Sequence, residues 1–155
     1  MEQITIRPAT PDDLPILLTF EQGIVTAERP FDPTLKPEGV SYYDLGEFIK
    51  ATDVEVAVAV LGDELIGSGY ARIKEHARPN FTPHRYAFLG FMYVKPEHRG
   101  KGVIQMILEY LKSWAQSQGL TEMRLQVYDE NESALKAYEK KGFSKLLVEM
   151  RMDID

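Results

Sequence analysis

Residues 93–111 read YVKPEHRGKGVIQMILEYL, and the character of the chain changes twice within them. The stretch begins as the apolar end of a strand. It passes through Pro96, Gly100 and Gly102 with Lys95, Arg99 and Lys101 among them, and then becomes amphipathic. Ile104, Ile107, Leu108, Leu111 and Ala115 recur at the spacing of one helix face, which predicts a helix from Val103 to Gln118 with Gly119 as its C-terminal cap. A strand, a glycine loop and a helix start in that order make a ready anion site. The first helical turn leaves backbone N–H groups unpaired, the helix dipole adds positive charge there, and glycine lets the backbone approach a phosphate. The loop is not a G-x-x-x-x-G-K-[ST] phosphate loop, nor a G-x-G-x-x-G dinucleotide fingerprint, so nucleotide hydrolysis and dinucleotide redox chemistry both lose ground.

Upstream, RYAFLGFMYV (85–94) is an apolar run suited to a buried central strand. DVEVAVAV (53–60) alternates strictly, and LIGSGYARIK (65–74) follows across a Gly62-Asp63 turn, which together predict a hairpin. ITIRPA (4–9) reads as a first strand. A helix is expected from Pro11 to about Glu28, with Thr10 as its N-cap. RPFDPTLKPEG is a loop, VSYYDLGEFIK suits a second short helix, and EHARPNFTPH is a further loop. Downstream, EMRLQVY (122–128) reads as a strand. Asn131 caps a helix with an apolar stripe at Ala134, Ala137 and Tyr138, Gly142 ends it, and FSKLLVEMRMDI (143–154) is expected to close the chain as a last strand. The order β-α-α-β-β-β-α-β-α-β predicts an α/β (α+β) domain, a mixed sheet with helices on both faces.

The chain of 155 residues suits a single domain, 44% hydrophobic and 27% charged. No window approaches the roughly 20 apolar residues of a transmembrane helix, and no basic-then-apolar leader opens the sequence, so a cytoplasmic protein away from membranes is expected. The absence of cysteine excludes disulfides, thiolate nucleophiles and Cys-based metal sites, and no metal site is expected. A net charge of -6 argues against nucleic-acid binding. It either favours a cationic substrate such as an amine or serves solubility alone.

V-x-P-x-x-R-G-x-G at Val94, Pro96, Arg99, Gly100 and Gly102 resembles motif A of the GCN5-related N-acetyltransferases. NESALKAYEKKGF resembles their motif B, with Asn131, Ala134, Tyr138, Gly142 and Phe143 in register. One position departs: in the [QR]-x-x-G-x-[GA] register that runs from Arg99 to Gly102, Ile104 stands where Gly or Ala is usual. A register starting at Glu97 aligns Gly100 and Gly102 but lacks the Gln or Arg. Ile104 either turns its side chain to the core and leaves its N–H free, or weakens or shifts cofactor binding.

The resemblance implies a mostly antiparallel sheet with a splay between its fourth and fifth strands, and one acyl-CoA N-acyltransferase domain over residues 1–155. It implies acetyl-CoA as co-substrate and direct attack by the amine of a small molecule or peptide. The pyrophosphate would lie on Arg99, Gly100, Lys101, Gly102, Val103, Ile104 and Gln105, and the pantetheine arm beside Met92, Tyr93 and Val94, with Asn131 opposite. The Val94 N–H would hold the oxyanion and Tyr138 would act as general acid. Glu28, Arg29, Tyr43 and Asp44, with Tyr42 beside them, lie where the family's substrate sits. Tyr42 and Tyr43 serve equally well as packing. The general base is open among Glu28, Asp44, Glu55, His84 and Glu97. A non-catalytic acyl-CoA sensor on the same fold is the rival reading. A homodimer is an assembly that the family often adopts, though no residue here points to one.

Overall fold

The computed structural model describes residues 3–155. Five strands line up in sequence order, β1 (Ile4–Pro8), β2 (Val54–Leu61), β3 (Glu64–His76), β4 (His84–Val94) and β5 (Met123–Arg124). Every pair is antiparallel except β4 with β5. The alternation in β2 explains the layering, since successive side chains leave a strand on opposite faces. Val54, Val56 and Val58 pack with Leu17, Phe20 and Ile24 of α1 (Leu14–Glu28) and with Leu45 of α2 (Leu45–Lys50). Ala57 and Ala59 face the other way, against Ile107, Leu108 and Leu111 of α3 (Val103–Ser117). Small residues on that face let α3 come close: a Cβ at Gly69 would stand 2.8 Å from Ile107 Cγ2.

The helix starts follow their signals. Thr10 and Asp13 form a capping box in which the Thr10 N–H donates to Asp13 Oδ2 at 2.7 Å. The first turn, Pro11–Asp13, is a 3₁₀ turn, and α1 proper begins at Leu14. Gly119 has φ +77 and its N–H donates to the Gln116 carbonyl, which ends α3. Helix α4 (Glu132–Lys141) is capped by the Asn131 side chain, which accepts from the Ala134 N–H at 3.3 Å, and it ends at Gly142 with φ +119.

Two expectations are corrected at the C-terminal end. The strand expected over 122–128 is confined to Met123–Arg124, which pair with Ala87 and Phe88. The closing strand over 143–154 does not form: residues 144–155 carry no regular structure. The pattern for a strand is there, but a strand needs a neighbour for its backbone groups, and this segment has none among the described residues.

Candidate active site

The gap between β4 and β5 is built by a bulge. Tyr70 opposes Gly90 while Ser68 opposes Tyr93, so one residue of β3 faces two of β4. Phe91 at the bulge has φ +59, a strained conformation for an aromatic residue. The buried Ser68 hydroxyl donates to the Phe91 carbonyl at 3.0 Å and fixes it there.

The bulge changes which backbone groups look outward. The Lys95 N–H donates to the Ile66 carbonyl at 2.8 Å, so Val94 and Gly67 are opposed without bonding each other. The Val94 N–H therefore points away from β3, toward the side where β5 would lie. The β4–β5 ladder stops at Phe88 with Arg124. Met92, Tyr93 and Val94 thus present an unpaired strand edge to the gap, and the Val94 carbonyl accepts from Arg99 Nε at 3.0 Å.

The loop after β4 has both glycines left-handed, Gly100 at φ +80 and Gly102 at φ +79, with nothing within 4 Å of where a Cβ would stand. No side chain caps α3, and its first backbone bond runs from Met106 N–H to the Gly102 carbonyl. The amides of Val103, Ile104 and Gln105 are left for a ligand, beside an exposed Lys101. The Arg99 N–H is engaged at 3.3 Å by the Pro96 carbonyl, and its guanidinium lies over the Tyr93 ring. Ile104, the departure from motif A, packs its half-buried side chain against the core. The Gln105 side chain donates to the Ala137 carbonyl at 2.9 Å and ties α4 to α3. These groups fit a pyrophosphate followed by an extended amide-bearing arm: bare amides, open space at two glycines, and a free strand edge leading inward.

Across the gap, Tyr138 sits on α4 with its ring 6.0 Å from Phe143. Burial, together with the negative charge of Glu28, pushes its phenol up to about 12. Glu28, at the C-terminal end of α1, is the acidic group that faces it. Burial raises the Glu28 carboxyl above the usual range, the nearby Tyr42 hydroxyl works against this, and the Asp32 charge adds to the rise. The Tyr42 hydroxyl is buried beside the Glu28 carboxyl. Tyr128 completes the ring of phenols. Its hydroxyl donates to Asp32 Oδ2 at 2.8 Å, and burial with that bond raises it to about 12. The hydroxyls of Thr34 and Tyr128 hold Asp32 down at about 2.

Most of the other proposed residues have partners of their own. Arg29 donates to the Lys36 carbonyl at 2.6 Å and closes its own loop. Tyr43 stands edge-on to Tyr70 and Phe91, each at 5.4 Å, as a packing residue between α2 and the sheet. Asp44 is an exposed residue preceding α2. Glu55 accepts from the Tyr110 hydroxyl, His84 meets Glu122, and Glu97 is exposed beside Glu64 and His98. Sequence reasoning missed Glu21, a buried carboxylate that accepts from the backbone N–H groups of both Tyr42 and Tyr43 at 2.8 Å. It holds the Tyr42 segment against α1 near Glu28. Its polar type at a position flanked by the apolar Phe20 and Ile24 was the available signal.

The chain belongs to the acetyltransferase (GNAT) family, whose model matches residues 22–143. It is 42% identical over 59 residues to YobR, an uncharacterised N-acetyltransferase of Bacillus subtilis. That stretch is 38% of this chain and 24% of YobR, so the match spans about a quarter of the relative. Two solved structures share its fold. The BH1408 protein of Bacillus halodurans, as a tetramutant, superposes with a TM-score of 0.87 at 18% identity, covering 97% of this chain and 99% of the other. A predicted acetyltransferase from Clostridium acetobutylicum, solved with acetyl-CoA, gives 0.71 at 15% identity over 97% and 96%.

Proposed function

We propose that the protein is an acetyl-CoA-dependent N-acetyltransferase acting on the primary amine of a small molecule or peptide by direct attack. The observation that carries this reading is the unpaired β4 edge at Met92–Val94, which meets the uncapped start of α3 at the mouth of the gap. When bound, acetyl-CoA supplies the acetyl group as a thioester. The amides of Val103–Gln105 hold its phosphates, and the Met92–Val94 edge hydrogen-bonds its arm. The side-chain amide of Asn131 serves the arm from the opposite wall, because its oxygen is occupied in capping α4.

The Val94 N–H supports the negative oxygen that forms when the amine attacks. Glu28 is the general base. Its raised carboxyl narrows the gap to an alkylammonium of pKa near 10.4 and makes the ionised form a better proton acceptor. Tyr138 donates its hydroxyl proton toward the departing sulfur. A phenol near 12 gives that proton up reluctantly to a thiolate whose acid is near 8.5. Proton uptake by Glu28 removes the charge that helps hold it, so the two transfers assist each other.

The test is thiol release from acetyl-CoA across a panel of amines. Turnover by the parent and its loss in Tyr138→Phe, with acetyl-CoA binding kept, supports the reading. Binding without turnover on any amine tried favours the sensor, and no binding at all removes both.

A further inference from the structure

The protein carries a net charge of -6, yet one part of its sheet gathers cations. Directly opposed residues of antiparallel strands share a face. The β3–β4 register therefore sets Arg72 beside Phe88, Lys74 beside Tyr86 and His76 beside His84 on one face. Tyr70, one step earlier on that face, is covered by Tyr43 and Phe48 and is 4% exposed. The full cover ends there, since none of the six residues beyond it is fully buried. β5 widens the same face by Arg124, which pairs with Phe88.

These cations have rings for neighbours more than carboxylates. Arg72 lies 4.7 Å from the centre of Phe48, Lys74 4.0 Å from that of Phe88, and Arg124 4.5 Å from that of Tyr86. Arg124 also has Glu122, which His84 shares. Arg72 and Lys74 have no ion-pair partner among the described residues. Glu75, between Lys74 and His76 in the chain, alternates to the opposite face, across from Arg85. Arg72 and Lys74 stand roughly 7 Å apart along their strand, close enough for their charges to repel. Burial, and then the Arg72 charge, lower the pKa of the Lys74 ammonium. A ring draws a cation to its face without cancelling the charge. Two half-buried like charges side by side are therefore left to be relieved by an anion.

We propose that this face docks an acidic peptide segment, laid across Arg72, Lys74 and Arg124 with its carboxylates between them. The cations are spread over β3 and β5 with β4 between, about 10 Å across the sheet, which suits a chain better than one small anion. Carboxylates fit better than a nucleic-acid strand. Single-stranded nucleic acid is held by bases stacked on aromatic rings, and Phe48, Phe88 and Tyr86 each have a cation over them already. A long polyanion is also repelled by the net charge of -6, which a few carboxylates feel far less. The face borders the gap, because Phe88 with Arg124 is where the β4–β5 ladder stops. Docking on it does not depend on the identity of the ligand in the gap.

The experiment is fluorescence anisotropy of a labelled hexapeptide of alternating Asp and Glu, titrated with the full chain at low salt and without acetyl-CoA. The controls are the matching hexapeptide of Asn and Gln and a labelled hexathymidylate. The expected result is saturable binding of the acidic peptide, at least about tenfold tighter than either control, and at least about tenfold weaker in Arg72→Gln/Lys74→Gln. No binding by the parent overturns the proposal, as does equal affinity for the acidic and neutral peptides. Undiminished binding in the double variant overturns it too, since the peptide then sits elsewhere. Tighter binding of the hexathymidylate overturns it in favour of a nucleic-acid face. If the double variant does not fold, Lys74→Gln alone is read by the same outcomes, with an expected loss of at least about threefold.

Discussion

Residues 53–76 and 122–154 carry the same kind of pattern and meet different ends. Val54, Val56 and Val58 alternate with Ala57 and Ala59, and both faces find cover, from α1 and α2 on one side and α3 on the other. Val148, Met150, Met152 and Ile154 alternate as regularly and are left in solvent. The difference is connectivity. A two-residue turn at Gly62-Asp63 brings β3 back onto β2, whereas the segment after α4 joins no ladder among the described residues. Pattern specifies which face of a strand wants burial, and the supply of a neighbour decides whether the strand forms.

That contrast is broken most sharply at the gap, where the paired half of the molecule stops. Replacing Tyr138 by Phe should lower kcat by about 100-fold or more, with acetyl-CoA affinity nearly unchanged, because a general acid contributes on that order; stopped thiol-release kinetics beside calorimetric binding separate the two. Leu111→Ala, in the covered half, should destabilise the protein by about 3 kcal/mol through the cavity it leaves. Met150→Ala should leave the unfolding free energy within about 0.5 kcal/mol, as for an exposed site. Urea denaturation of the two variants beside the parent compares them.

Glu28→Gln should lower kcat by about 10- to 100-fold and flatten the acidic limb of the rate profile. The sign follows from its raised carboxyl: the base acts when ionised, so activity falls as pH drops through that raised pKa, above the limb of an ordinary glutamate. A profile whose acidic limb is unchanged in the variant assigns the base elsewhere. A modest effect is expected at Asp13, whose carboxyl is held low chiefly by Arg7 and also by the Thr10 N–H. Its contribution is present above the ordinary carboxylate pKa and fades as pH falls through the lowered one. Asp13→Ala should cost about 1 kcal/mol near neutral pH, the worth of a helix cap, by urea denaturation.

Much of the fold was legible because its signals are local. Gly62-Asp63 marks a hairpin, Thr10 and Asn131 mark helix starts, and the spacing of Ile107, Leu108 and Leu111 marks the buried face of α3. In the candidate site, the glycine loop and Tyr138 were legible from motif spacing, and both lie on the elements expected. The Phe91 bulge was not, because an aromatic residue gives no sign of a positive φ, and the Ser68 hydroxyl that holds its carbonyl is far away in sequence. The pairing of Glu21 with Tyr42 and Tyr43 was equally hidden, since it joins positions 21 and 22 residues apart. The last strand was misread because a sequence shows the pattern of a strand without showing whose edge it meets.

Calorimetric titration of acetyl-CoA into the parent protein and into Gly102→Glu tests the central claim most directly. The account predicts saturable one-to-one binding by the parent and loss of at least about 100-fold in affinity in the variant. A side chain at φ +79 is strained, and its charge would stand where the phosphates belong. Equal binding by the two proteins would contradict it, because the phosphates would then lie somewhere other than the start of α3.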